Sequence, residues 1–452
     1  LFGLERWQTL LGVGLLNVVF ATHSGLWGVL VIDMVQFFIK MTAVIAAAYF
    51  ALQLPQIGGL SGLVTKLSAT PGPGGLNYLN VLPDFTNHWD IAVAVFIMPI
   101  AVQWWAVWYP GAEPGGGSYI AQRMLASKSE KDALGAVLFF NVAHYVLRPW
   151  PWILVGLCSI IIYPNLSDIS AAFPHLDPAL VGHDTAYPAM LKFLPVGFFG
   201  LMVGGLIAAN SSTILTHLNW GASYLVHDFY RRFLRTDRDE KHYVRAGRYV
   251  TVLLFVCSSG MVYLLDTAKD TFDIILQVGA GTGLLYLLRW FWWRINAWAE
   301  VTAMVSSFVV SLVLLVLNKN GMGFSTHVGL LVTVGFTTVC WVLAAYLGPP
   351  TDHATLVAFY RKSRPFGPGW ARIRAEVGEA EPTRENIPLA LLGWVAGCTV
   401  IWSALFTVGN FLYGYVDTAL LLLGVFVVST IALILVINRL WSTPAAAPPA
   451  GS

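Results

Sequence analysis

Apolar residues run along this chain in long blocks, at about 9–22, 27–52, 91–110, 133–163, 193–226, 244–266, 272–293, 297–317, 327–347, 387–414 and 417–441. Most blocks hold roughly 20 residues, enough for one α-helix to cross the hydrocarbon core of a bilayer. Strands of a membrane barrel would instead alternate over about ten residues. The pattern predicts about eleven spanning helices in an all-α, polytopic membrane helix bundle.

The polar stretches between blocks are of two kinds. One kind holds Arg123, Lys128 and Lys131, the run from Arg231 to Arg248, then Arg289 and Arg294, and the run from Arg361 to Arg384. The other kind, at 53–90, 164–191, 267–271 and 318–326, has Lys66, Lys269 and Lys319 as its few cations. The two kinds alternate, and cations gather in the cytoplasmic loops of membrane proteins. The Arg-rich loops and the tail after Arg439 are therefore expected in the cytoplasm, with the chain in a bacterial inner (plasma) membrane.

Composition sharpens this picture. Of 452 residues, 57% are hydrophobic and only 11% charged, against about 25% charged in a soluble chain. A lipid bilayer is the expected partner, and a net charge of +2 gives no reason to expect a nucleic acid. Cys158, Cys257, Cys340 and Cys398 lie in apolar blocks without CxxC spacing and read as packing residues. The first residue is Leu1 rather than Met, so a missing upstream segment is expected. The Pro/Ala-rich tail 442–452 is expected to be disordered. Loop 348–386, with Pro, Gly and mixed charge, is expected to form a short surface helix.

Polar residues inside apolar blocks are expensive and mark candidate sites. Pro110, Pro114 and Gly115 to Gly117 interrupt the helix that begins near 91. Either the helix ends in a loop, or it is a discontinuous helix whose freed backbone faces a cavity, as in carriers. Gln103, Trp104 and Trp105 lie beside the break, where the rings either stack on a solute or simply pack. Asn141, His144 and Arg148 recur at spacings of three and four, one face of a helix, with Pro149 and Pro151 expected to kink it just beyond. Ala209, Ser212, Thr213 and Thr216 form another such face. A dehydrated sodium ion is a hard cation seeking several oxygens, and hydroxyls with a loosened carbonyl supply them without charge. The same hydroxyls also commonly bond back to their own helix. Asp33, Gln36 and Lys40 share a third face; Asp33 either attracts a cation or stabilises its helix N-terminus.

Four stretches resemble the sodium:solute symporter family: Gly25 to Gln36 around Asp33, Tyr119 to Lys128, Ser212-Thr213 through Asp228 to Tyr230, and Arg289 to Arg294. The resemblance implies a LeuT-type inverted repeat of two five-helix units, here lacking its first core helices. It makes 1–52 the remnant of the first repeat, 53–90 an extracellular loop and 91–293 the second repeat, broken near 108–117. Additional helices follow at 294–347 and 387–441. It further implies a sodium site at the Ala209 carbonyl and the Ser212 and Thr213 hydroxyls, and an inner-gate role for Asp33 in cation release. Gln103, Trp104, Trp105, Asn141, His144 and Arg148 become substrate-pathway candidates. His144 falls where sugar-carrying members have a substrate-contacting lysine, a departure that leaves the solute open among sugar, amino acid and carboxylate.

The implied function is sodium-coupled symport by alternating access, with sodium as coupling ion and no organic cofactor. The implied partners are a small polar solute and the missing N-terminal helices. A membrane solute sensor would need an appended signalling domain. An intramembrane enzyme would need a nucleophile–base pair or metal-ligand spacing such as HExxH, and no such spacing occurs.

Overall fold

The computed structural model of the chain describes residues 7–12, 14–15, 26–106, 123–178, 181–262, 278–321, 324–378 and 386–442. They form α1 (Leu26–Leu52), α2 (Trp89–Ala106), α3 (Glu130–Ile162), α4 (Val196–Leu234), α5 (Glu240–Met261) and α6 (Gly283–Leu288). Then come α7 (Ala297–Lys319), α8 (Thr326–Leu347), α9 (His353–Ser363), α10 (Ala371–Val377), α11 (Ile387–Leu412) and α12 (Val416–Ser442). No strand forms among the described residues; one parallel bridge joins Trp292 and Gly369.

Eight of these helices are long and apolar enough to cross a membrane. Three further blocks do not appear as such. Block 9–22 and the distal part of 244–266 lie largely outside the described residues, and α5 carries Arg245 and Arg248 in its first half. Block 272–293, where described, is the short α6 between turns rather than one span. The reason is its Gly279-Ala-Gly281-Thr-Gly283 run, which breaks the helix. The expected helix break at 108–117 and the expected disorder beyond 442 also fall outside the described residues.

Polar caps mark where helices meet water. Asn296, Ser325, Asp352 and Asn386 accept backbone N–H groups at the starts of α7, α8, α9 and α11. The faces between caps are apolar and uncovered: Leu421 and Val428 of α12 are 67% and 68% exposed. In water such faces would drive aggregation, but in lipid they are solvated.

The chain forms two compact units, 1–79 with 147–268, and 80–146 with 269–452. In the first, α1 packs along α4 and along Pro149–Ile162 of α3. In the second, α7 pairs with α8 and α11 with α12. Ala299, Ala303 and Trp341 bury between α7, α8 and α6, while Ala396, Val400 and Leu433 seal the α11–α12 pair.

Loop 348–378 forms two helices rather than one. Leu356, Tyr360, Trp370 and Ile373 make a small core of their own. Trp370 Nε1 donates to the Arg289 carbonyl at 3.0 Å, and Gly367 and Gly369 donate to the Trp290 and Phe291 carbonyls at 3.1 and 2.9 Å. Glu376 accepts from His353 and from Arg372, which hold its carboxyl below the usual carboxylate range.

Candidate functional site

The α1–α4 seam collects the polar groups of the first unit. Exposed residues of α1 recur at Val31, Met34, Val35, Phe38, Ile45 and Tyr49. The opposite face carries Asp33, Gln36, Lys40, Ala43, Ala47 and Ala51, with the alanines buried. Small residues there admit α4 closely: a Cβ on Gly205 would stand 3.6 Å from the Ala43 side chain and 3.7 Å from the Lys40 Cα. The helices run antiparallel, since Phe50 packs on Phe198 at 5.0 Å further along α1. Continued toward the N-terminus of α1, this register sets Gln36 level with the turn of Ser212, and Asp33 with that of Thr216.

The sodium-site candidates of α4 divide by burial. Thr213 is exposed, and its hydroxyl donates to the Ala209 carbonyl at 3.2 Å, so the two oxygens already converge. The Thr213 carbonyl lies 2.8 Å from His217 Nδ1. Ser212 lies in the same unbroken helix, one residue before Thr213. Thr216, on the same stripe, is buried at 6% exposed, as is Ser211 beside it at 4%. The Ser211 hydroxyl and the Gln36 Oε1 are buried without a hydrogen-bond partner among the described residues. Sequence spacing brought out Thr213 and Thr216 together. It did not separate the flank that faces α1 from the flank that stays open, and it missed Ser211.

Trp104 lies against Trp394 of α11 at 5.7 Å, and Trp105 donates from Nε1 to the Ala101 carbonyl at 2.7 Å. Gln103 is half-buried in α2, whose turns around Pro99 are π-helical. Asn141 bonds back to the Val137 carbonyl at 2.8 Å, and His144 stacks on Phe140 at 5.1 Å. Arg148 is exposed. Val142–Leu147, between Asn141 and Arg148, is π-helical, a wider turn than the α-helix their spacing assumed. The loosening precedes Pro149 rather than following it, since a proline disturbs the turn before its own position.

A feature the motifs did not reveal is the turn at 279–283. Gly281, with φ +88°, donates its N–H to the Ala106 carbonyl at 2.7 Å. A Cβ on Gly283 would come within 2.5 Å of the Trp105 carbonyl. Ser307 of α7 donates to the Val278 carbonyl, and the Thr282 hydroxyl donates to the Gly279 carbonyl at 2.6 Å. A helix broken by glycines is thus docked on the last described turn of α2. The glycine cluster in an apolar block was the available signal.

Interrupted apolar helices with polar groups along their packed faces are a feature of helical membrane carriers. The fold matches a solved sodium-coupled sialic acid symporter in a substrate-bound, outward-open state. The TM-score is 0.55 at 15% identity, over 78% of this chain and 69% of that one, and the likeness makes the architecture LeuT-like. The sodium:solute symporter family profile matches residues 1–317, and the chain belongs to that family. It is 26% identical over 329 residues to a sodium/glucose cotransporter of Vibrio parahaemolyticus, covering 70% of this chain and 58% of the relative. It is 24% identical over 340 residues to the human sodium/myo-inositol cotransporter 2, covering 70% of this chain and 48% of the relative. The chain thus spans about half the length of these curated relatives. It is a multi-pass membrane protein of a family of transporters, not enzymes.

Proposed function

We propose that this chain forms part of a secondary transporter that couples sodium entry to uptake of a small polar solute by alternating access. The observation that carries the reading is the family match over residues 1–317, which includes the Ala209–Thr213 turn where two candidate oxygens converge. In this reading the Ala209 carbonyl and the Ser212 and Thr213 hydroxyls supply part of the sodium shell. A hard cation takes more oxygens than these three, so the set is a partial shell. Asp33 draws the ion toward the cytoplasmic end of α1. Gln103, Trp104, Trp105, Asn141, His144 and Arg148 remain the proposed solute pathway. The relatives' names (glucose, myo-inositol, sialic acid) favour a hydroxyl-rich solute over an amino acid.

Residues 91–293 then constitute the second inverted repeat, and the C-terminus is cytoplasmic in a bacterial inner membrane. The driving force is the sodium gradient plus about 2.3 kcal/mol per charge per 100 mV of membrane potential. Uptake of labelled glucose and myo-inositol by proteoliposomes of the intact transporter, under sodium or potassium gradients, tests this. Sodium should stimulate uptake of at least one solute, and Ser212→Ala/Thr213→Ala should raise the half-saturating sodium concentration about tenfold or more. An unchanged sodium dependence in the double variant rejects the site.

A further inference from the structure

Lys40 is a cation placed where the proposed function gives it no role. It lies well inside the apolar span that starts at Asp33, on the inward face of α1, with its Cα against Gly205 of α4. Gly205 is one helical turn before Ala209 on the same side of α4, so the lysine stands about one turn from the proposed sodium oxygens. A half-buried cation on this face of a span is expensive, which makes it a candidate for function. The charges whose fields reach it are Asp33 on its own helix and Arg148 at the start of the Pro149–Ile162 segment. Between Val196 and His227, α4 offers no formal charge, and its His217 lies on the exposed flank. Lys192 is held over the Phe173 and Phe193 rings, and Lys66 is bonded to the Gln56 carbonyl.

The seven residues from Asp33 to Lys40 separate the two Cα atoms by roughly 10 Å along the axis, and the carboxylate's field still reaches the lysine. The two opposite charges therefore stand at different levels of α1. At an ion on α4 the ammonium repels, and two turns nearer the α1 N-terminus the carboxylate attracts. We propose that Lys40 is a fixed cation that weakens sodium binding at the α4 oxygens and, with Asp33, drives the released ion toward the Asp33 end of α1. The inference rests on the sodium site proposed above. Coulomb's law at an effective dielectric near 20 and a separation of about 10 Å gives an effect on sodium affinity on the order of tenfold.

Equilibrium binding and release of radioactive sodium by the intact transporter in nanodiscs, without any solute, reads this directly. Lys40→Met should bind sodium about tenfold more tightly and release it more slowly, while Lys40→Arg, which keeps the charge, should stay within about twofold of the parent. If Lys40→Met fails to fold, Lys40→Gln carries the same expectation. Sodium binding that is lost in Ser212→Ala/Thr213→Ala but unchanged or weakened when the lysine charge is removed overturns this inference alone. Binding indifferent to the α4 hydroxyls overturns the sodium site, and this inference with it.

Discussion

Ser307 is fully buried on α7, and its hydroxyl caps the Val278 carbonyl where the glycine turn begins. Replacing it with alanine leaves that carbonyl without its donor, at about 1–3 kcal/mol. Ser307→Ala should therefore unfold several degrees lower in a thermal melt in detergent. Thr399→Ala should barely move the melt, because the exposed Thr399 hydroxyl only bonds back to the Val395 carbonyl of its own helix. Gly283→Ala is expected to be more damaging than either, since its methyl meets backbone rather than a movable side chain. Sequence made Asp33, Lys40 and the α4 hydroxyls legible because charge and hydroxyl are conspicuous in apolar blocks. It could not say that Thr216 is buried and Thr213 open. Neighbours on a helix stripe differ by a fraction of a turn, and the packing partner decides which one is covered.

The α9–α10 pair is held by backbone contacts to Trp290 and Phe291 and by the Glu376 carboxylate between His353 and Arg372. Because the folded carboxyl is held below its ordinary value, its contribution is complete above the usual carboxylate range and is lost as pH falls through the lowered folded value. Hydrogen-exchange protection factors in α10, corrected for the intrinsic rate at each pH, should accordingly fall as the solution is acidified, and in Glu376→Gln that acid dependence should flatten. Equal acid sensitivity in the variant would show that the pair does not hold the helices together. The loop's helical content was legible from its composition, but its docking was not. Backbone carbonyls at the end of a broken helix carry no side-chain signature, and neither do the π-helical turns of α2 and α3, which only the three-dimensional register displays.

At the scale of the molecule, the apolar pattern alone yielded the class and most of the architecture. Blocks of about 20 apolar residues have few alternatives once every backbone group must be satisfied in lipid. Among the described residues, glycine or arginine interrupts the apolar blocks of α5 and α6, which run into the undescribed stretch 263–277. The cation asymmetry of the loops makes a further prediction about orientation. A cysteine introduced at Ser363 should react with a membrane-impermeant maleimide in inverted vesicles and not in intact cells, and the reverse result would invert the topology.

The claim on which the rest depends is that uncharged oxygens of α4 hold the coupling ion. Its most direct test is equilibrium binding of radioactive sodium to the purified intact transporter, parent against Ser212→Ala/Thr213→Ala. The account predicts saturable binding by the parent and at least about tenfold weaker binding by the variant. Indistinguishable isotherms for the two proteins would contradict it.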